Sequence, residues 1–304
     1  MKRYLPEGHL YETETNSEHF KSLEALEEAY RNRIILERKA LLCTAGHDII
    51  VDTPFGKGII PREEGDISIG CDTSKDISLL TRVGKEVCFK IISIDKSGSE
   101  PVFILSRKEA QLECLREFTR RLCPGQIIPA RVTHLEQFGA FVDIGCGISS
   151  LIPIDAISVS RISHPSDRFS KGQDIFAVVK GCDEERVYLS HKELLGSWQE
   201  NADRFAVGET VTGIVRSVED YGIFVELAPN LAGLAEFKEG VRPGQAASVY
   251  IKAMIPDKMK IKLIIVDSFE SSERIPLHYF ISSGSIKKWV YSTERAPKSI
   301  ISEF

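Results

Sequence analysis

Phe138-Gly139-Ala140-Phe141-Val142-Asp143-Ile144 is answered further along the chain by Tyr221-Gly222-Ile223-Phe224-Val225-Glu226-Leu227. Each copy follows an apolar alternating stretch, Ile127 to Val132 in the first case and Val211 to Val215 in the second. In a strand, alternate side chains point to opposite faces. Ala140, Val142 and Ile144 therefore form an inward row, and Phe141 and Asp143 face outward. The same count puts Phe138 inward, but a glycine inside a strand often marks a bulge, which resets the facing of what precedes it. A bulge at Gly139 turns Phe138 outward beside Phe141. By the same logic Ile223, Val225 and Leu227 face in, Phe224 and Glu226 face out, and Gly222 turns Tyr221 out. Two outward aromatics side by side form a surface on which nucleic-acid bases can stack. The alternative is that Phe138 and Tyr221 are ordinary core aromatics; a second copy at the same spacing weakens it.

The repetition extends well beyond these two stretches, pairing residues 124–192 with 207–266. Ser150-Leu151-Ile152-Pro153 corresponds to Gly233-Leu234-Ala235, and Lys171-Gly172-Gln173-Asp174-Ile175 to Pro243-Gly244-Gln245-Ala246-Ala247. Val187-Tyr188-Leu189-Ser190 corresponds to Ile261-Lys262-Leu263-Ile264. A weaker copy precedes both, with Ile49-Ile50-Val51-Asp52, Gly58-Ile59-Ile60-Pro61, Val83-Gly84-Lys85-Glu86-Val87 and Phe103-Ile104-Leu105-Ser106. Each unit reads as about five short strands, which suits a small Greek-key barrel. The loop from Pro153 to Gly172 is longer than its counterpart from Ala235 to Gly244, a change that loops absorb readily. Between the units the period becomes helical. Ser22 to Leu36 carries Leu23, Leu26, Tyr30 and Ile34 on one stripe, with Ser22 as N-cap. Ser106 to Leu122 carries Leu112, Leu115 and Leu122, and a shorter candidate, His191 to Phe205, is interrupted by Gly196. Beyond Val266, Ile275 to Ile281 and Trp289 to Tyr291 flank Gly284 and suggest an appended hairpin.

Composition limits the function classes. The 304 residues are 42% hydrophobic and 27% charged, as expected of a soluble globular chain long enough for two or three small domains. No apolar run approaches the ~18–20 residues of a membrane span, and the polar N-terminus, MKRYLPEGHLYETETNSEHF, lacks a signal-peptide core. The seven cysteines (Cys43, Cys71, Cys88, Cys114, Cys123, Cys146 and Cys182) are odd in number and contain no Cys-x-x-Cys pair. They read as reduced cytosolic thiols, with no disulfide frame and no zinc site. A net charge of −5 argues against a polycation that coats duplex DNA. Single-strand binding is compatible with it, because stacking carries part of that affinity. Two local basic clusters stand out, Arg161, His164, Arg168 and Lys171, and Lys258, Lys260 and Lys262, each of which also reads as a solvated face.

With these residues in view, the chain resembles proteins built from the S1 domain, the OB-fold RNA-binding module named after bacterial ribosomal protein S1. The resemblance rests on Phe-Gly-Ala-Phe-Val-Asp-Ile, on Phe169-Ser170-Lys171-Gly172-Gln173, and on Asp183-Glu184-Glu185-Arg186-Val187-Tyr188-Leu189-Ser190-His191-Lys192. It is specific in the second unit, good in the third and degraded in the first, and covers roughly residues 40–266. The order of the units is similar to short ribosomal protein S1-like proteins of Gram-positive bacteria. The resemblance implies an RNA face on Phe138 and Phe141, then on Tyr221 and Phe224, with Asp183 and Arg186, then Asp257 and Lys260, beside the turn into the last strand. Alternation independently turns Arg186 and Tyr188 outward, since Val187 and Leu189 face in. A histidine expected of the family after the third strand is replaced by Pro153 and Ala235, which implies weaker binding per unit. In the first unit His47 and Ile50 replace the aromatics and Asp48 the glycine, so that unit is expected to bind RNA poorly and to act as a spacer or protein contact.

No catalytic arrangement is present: no phosphate-binding Gly-x-x-x-x-Gly-Lys-Ser/Thr loop, no His-Glu-x-x-His and no Gly-x-Ser-x-Gly. Arg62-Glu63-Glu64 and Asp183-Glu184-Glu185 read as solvated turns, and nuclease domains that carry the same module would not fit in this chain. The expectation is an all-β-dominated chain of three tandem five-stranded OB-fold barrels joined by short helices, the first degenerate. The boundaries are a tail and helix (1–37), a degenerate barrel (38–106), a linker helix (107–122), an S1 domain (123–192), a linker (193–206), an S1 domain (207–267) and a C-terminal extension (268–304). The expected function is non-enzymatic, cytoplasmic binding of single-stranded RNA, with the small ribosomal subunit as a candidate partner. No cofactor, metal, membrane or small-molecule substrate is expected. The expected RNA-contacting residues are Phe138, Phe141, Arg161, His164, Arg168, Asp183, Arg186, Tyr188, Tyr221, Phe224, Asp257, Lys260 and Lys262. The rival readings are an RNA-binding regulator of transcription or decay apart from the ribosome, and a protein scaffold whose barrels have lost RNA.

Overall fold

Short β-branched and apolar stretches cut by turn residues become strands, and five of them close a barrel three times over. A computed structural model of the chain describes residues 4–69, 76–183 and 186–304; Cys71, Glu184 and Glu185 lie outside the described residues. The first barrel comprises β1 (Leu36–Cys43), β2 (Ile49–Val51), β3 (Lys57–Ile60), β4 (Glu86–Asp95) and β5 (Val102–Ser106). The second comprises β6 (Ile127–Glu136), β7 (Gly139–Asp143), β8 (Ser149–Pro153), β9 (Asp174–Cys182) and β10 (Val187–Ser190). The third comprises β11 (Thr210–Glu219), β12 (Gly222–Ala228), β13 (Leu231–Ala235), β14 (Ala246–Ile255) and β15 (Lys260–Phe269). All three close in the order first, second, third, fifth, fourth, with the third and fifth strands parallel, which is the OB arrangement.

The helices between them are shorter than the periodicity predicts. Helix α1 (Glu14–Glu18) is a single turn, and α2 (Leu23–Arg31) starts on Ser22, whose hydroxyl accepts from the Ala25 N–H. Leu26 and Ala29 of α2 are buried in the first barrel's core, and Leu23 and Ile34 pack against it, so of the predicted stripe Tyr30 alone faces outward. The helix stops at Arg31, Arg33 turns left-handed, and Leu36 already belongs to β1. Helix α3 (Ile77–Leu80) follows in the same barrel, and α4 (Arg107–Glu117) is capped by Ser106. Of the leucines at helical spacing Leu112 is exposed, Leu115 is half-buried and Leu122, beyond the end of α4, is buried; the helix's own buried face is Arg107, Ala110, Gln111 and Cys114. Helix α5 (Trp198–Ala202) follows a 3-10 turn at Lys192–Leu195. The appended hairpin pairs β16 (Lys288–Val290) with β17 (Ile301–Glu303); the stretch Ile275 to Ile281, expected to be part of it, contains no strand.

The chain divides into two compact units: one of residues 1–121 with 143–149, the other of 122–142 with 150–304. In the first unit the polar face of α4 closes around a fully buried guanidinium. Arg107 Nε and Nη2 donate to Glu7 at 2.6 and 3.0 Å, and Nη1 to Asp66 at 2.6 Å. Asp143 was expected to face outward and instead lies buried in this unit, accepting from the N–H groups of Glu7, Gly145 and Gly147. Burial, and then the neighbouring Glu7, push its carboxyl up to about 7.

In the second unit one apolar cluster runs from the interior of the third barrel through Leu194 and Trp198 to Trp289 and Tyr291 of the C-terminal segment. His191 is buried beside it. Its Nδ1–H donates to the Ile157 carbonyl at 2.8 Å, and the Tyr279 hydroxyl donates to its Nε2 at 2.9 Å. Both ring nitrogens are thus satisfied in the neutral form. Burial is the main reason its pKa falls to about 4, and the Arg168 charge adds to it. Between that value and the ordinary ~6.5 the unfolded chain binds a proton that the folded chain refuses. The His191 contribution is therefore complete above ~6.5 and is lost as pH falls toward about 4, up to roughly 3 kcal/mol in all. Thermal melts at about pH 5 and about pH 7.5 check this: His191→Gln should melt lower than the parent at neutral pH and show a smaller acid-induced drop.

Candidate nucleic-acid interface

The two platforms are built by the same backbone device. Phe138 and Tyr221 stand in the turns just before β7 and β12, and Gly139 and Gly222 begin the strands. A Cβ on Gly139 would meet the Ile152 carbonyl oxygen at 2.5 Å, and one on Gly222 the Ala235 carbonyl at the same distance. Only glycine lets the neighbouring strand pass so closely, and the residue before it swings out over the barrel. In the third barrel the register shift lies on the partner strand, between Val215 and Ser217, and Gly222 pairs regularly with Glu219. The expected strand bulge at Gly222 is therefore replaced by a glycine with φ of 148° at the strand's first residue, and Tyr221 faces out for that reason.

Tyr221 is 71% exposed and Phe138 56%, while Phe141 and Phe224 are half-buried beneath them. Each pair packs edge to face, with centroids 6.0 Å apart in the second barrel and 6.1 Å in the third. Neither exposed ring is a core aromatic. In the second barrel His134 adds a third ring, 6.5 Å from Phe141, and its Nε2 lies 2.6 Å from Glu136. Sequence reading missed His134, because a lone histidine on an exposed strand position has no signature of its own.

The remaining candidates divide. Tyr188 is exposed on β10 and its hydroxyl donates to Asp183 at 2.8 Å, which raises the phenol's pKa. The other Asp183 oxygen accepts from the Arg186 N–H at 2.7 Å and closes the β9–β10 turn. Asp183 thus holds the Tyr188 hydroxyl and the Arg186 N–H, and Arg186 is exposed just before β10. In the third barrel Phe224, Leu234 and Lys262 lie in one row across β12, β13 and β15. Together with Tyr221, Lys252 and Lys260 they line an open groove of about 570 Å³. Lys252, which sequence reading did not single out, comes from β14 and carries the same charge into that groove. Asp257 is exposed and 3.8 Å from Arg295, apart from the residues that line the groove.

The cluster Arg161, His164 and Arg168 does not hold together as a solvated basic face. Arg161 is exposed. The His164 ring caps the 3-10 turn Pro165–Asp167, accepting from the Ser166 N–H at 3.1 Å. Arg168 is buried: it donates to Ser158 at 3.2 Å and is ion-paired to Glu226, the acidic residue expected to face outward. Glu226 also accepts from Arg216 Nε at 2.5 Å. Alternation turned Glu226 away from its own barrel's apolar row, but the long loop of the second barrel covers that side of the third. In the first barrel Asp48 accepts from the Arg62 N–H, and Arg62 pairs with Asp76 at 2.8 Å, so the position corresponding to a platform carries ion pairs and no aromatic pair. Among the described residues no group of three or more His, Cys, Asp or Glu is placed to hold a metal ion, and no helix is long and apolar enough to cross a membrane.

Closed OB-type barrels that carry outward aromatic pairs beside lysine side chains offer faces on which nucleic-acid bases can stack. Residues 122–192, the second barrel, match the family model of the S1 RNA binding domain. The chain is similar to small ribosomal subunit protein bS1 of several bacteria. The Leuconostoc lactis protein is 32% identical over 201 residues, covering 64% of this chain and 45% of that protein. The Staphylococcus aureus (strain COL) protein is 29% identical over 263 residues, covering 81% and 64%. The chain thus spans about half to two thirds of the length of these relatives. Among solved structures, a multidomain protein with nucleic acid binding domains from Streptococcus pneumoniae covers 79% of the chain at 16% identity with a TM-score of 0.26.

The buried position of Glu226 has a measurable consequence. Removing one partner of a buried ion pair strands the other charge and costs ~3–5 kcal/mol, whereas an exposed carboxylate costs ~0.5 kcal/mol or less. Glu226→Ala should fall in the first range and Asp257→Ala in the second, read from urea denaturation of the full chain.

Proposed function

We propose that the protein is a non-catalytic, cytoplasmic binder of single-stranded RNA that works through its second and third barrels, with mRNA near the small ribosomal subunit as its setting. The observation that carries this reading is the exposed Tyr221–Phe224 pair beside Lys260 and Lys262, with the aromatic pair repeated in the second barrel as Phe138–Phe141. Aromatic rings take bases of any identity on their faces, and the lysines take phosphates. The S1 family match and the bS1 relatives support RNA as the ligand and the ribosome as the setting. The first barrel, with ion pairs where the platform would stand, contributes little RNA affinity in this reading.

Tyr221→Ala and Phe138→Ala should each weaken binding to a single-stranded RNA by ~1–3 kcal/mol while changing folding stability by less than ~0.5 kcal/mol. Phe141→Ala and Phe224→Ala, being half-buried, should lower both affinity and melting temperature. With about 2–4 phosphates met, log K against log salt should have a slope near −0.7 for each. Fluorescence titration at several salt concentrations, with melts on the same proteins, checks these values. Normal affinity in the Tyr221→Ala and Phe138→Ala proteins would reject the platforms. Co-sedimentation with small ribosomal subunits tests the setting separately.

A further inference from the structure

The Tyr221–Phe224 pair lines two grooves. One is the lysine-lined groove described above. The other, of about 580 Å³, is walled on its far side by the second barrel, through Ser160, Arg161 and Ile162 of the long β8–β9 loop. The third barrel supplies Tyr221, Phe224, Arg216, Ser217, Glu219 and Met259 to it. The aromatic pair is therefore a ridge shared by both grooves.

The loop that forms the far wall is anchored. Val159 N–H donates to Asn230 Oδ1 at 2.9 Å, and Ser160 N–H to the Pro229 carbonyl at 3.2 Å. Arg168, at the end of the same loop, is fixed to Glu226. Asn230, itself buried, also donates to the carbonyls of Lys192 and Gly196, which locks the linker onto the same turn. The charges within the wall differ in availability. Arg216 is neutralised by Glu226 at 2.5 Å and Asp167 at 3.4 Å. Asp167 is held below the usual carboxylate range: burial alone would raise it, but Arg216 and the N–H groups of His164 and Ser163 outweigh that. Arg161 is exposed, and its guanidinium makes no hydrogen bond or ion pair within the described residues. Glu219 lines the same groove, so Arg161 is the one unneutralised cation among the described residues that line it and gives it a place for a single phosphate at most.

We infer that this second groove is a nucleotide subsite built jointly by two barrels. One nucleotide of a single-stranded RNA, already stacked on the Tyr221–Phe224 ridge from the lysine side, would pass its neighbour across the ridge. That neighbour's phosphate meets Arg161, and its base or ribose lies against Ile162 and Met259. The subsite exists because the second barrel's loop is fixed on the third barrel; neither barrel alone has both walls. The inference rests on the RNA-binding reading and extends the track of the third barrel toward the second.

The test uses the full chain, fluorescent oligouridylates of increasing length, and four proteins: the parent, Arg161→Ala, Arg161→Glu and Tyr221→Ala with Phe224→Ala. Arg161→Ala should leave the melting temperature and the affinity for the shortest binding oligomer unchanged. It should weaken longer oligomers about five- to tenfold and reduce the salt slope by about 0.7, with Arg161→Glu weaker still. Photocrosslinking of 4-thiouridine-containing RNA should label the Ser160–Ile162 stretch as well as β12. If the double platform variant loses binding while both Arg161 variants match the parent at every length and the loop takes no label, the subsite is wrong and the RNA-binding reading stands. If the parent binds no oligomer, both fall together.

Discussion

The second unit is organised around one buried charge pair, Arg168 with Glu226, whose partners come from different barrels. Desolvating both ions is expensive, and the site offsets part of this with further hydrogen bonds, Arg168 Nε donating to Ser158 and Arg216 Nε to Glu226. Burial still pulls the Arg168 pKa below its ordinary value, with Glu226 opposing that fall. Such a pair is a poor source of net stability and a good source of register, because any other placement of the loop would leave a charge buried alone. Asn230 performs the same service with neutral groups, satisfying a loop N–H and two linker carbonyls from a single side chain. The consequence for function is geometric. Two platforms that could have been strung on a flexible chain belong to one compact unit.

The parts of this arrangement that depend on local pattern were legible in the sequence. Barrel count, strand alternation, the glycine-aromatic motif and its outward rings all follow from residues within a few positions of one another. What failed was long-range. Asp143 and Glu226 were correctly turned away from their barrel interiors, yet both are buried, because alternation says which side a residue takes and nothing of what covers that side. Arg168 in a polar loop reads as solvated; the acid that buries it is in the next repeat. In α4 the leucine spacing did not show the polar buried face, since the helix packs through Arg107 and Gln111, whose partners Glu7 and Asp66 lie far away in the chain.

The comparison among the three barrels separates scaffold from site. All share one strand order, so closing the barrel requires no aromatic pair. In the first barrel the turn that corresponds to the platform uses a left-handed His47 in place of a glycine-led strand, and the Arg62–Asp76 ion pair lies beside it. The fold is therefore retained where the aromatic pair is not, and a functional reading has to come from the surface residues of each barrel and not from the barrel itself.

The C-terminal segment imposes an order of assembly during synthesis. Tyr279 supplies the proton that satisfies His191 Nε2, and Ile286, Trp289 and Tyr291 belong to the same apolar cluster as the third barrel's interior. The loop Asp143–Ser149, likewise, belongs to the unit that begins at the N-terminus. A chain emerging N-terminus first can close each barrel's strands as they appear. It cannot finish the first unit until residue 149 is out, nor dry the interior of the second until residues 279–291 follow. For that interval the nascent protein would present finished platforms on an unfinished core, exposed to nucleic acid before it is fully folded.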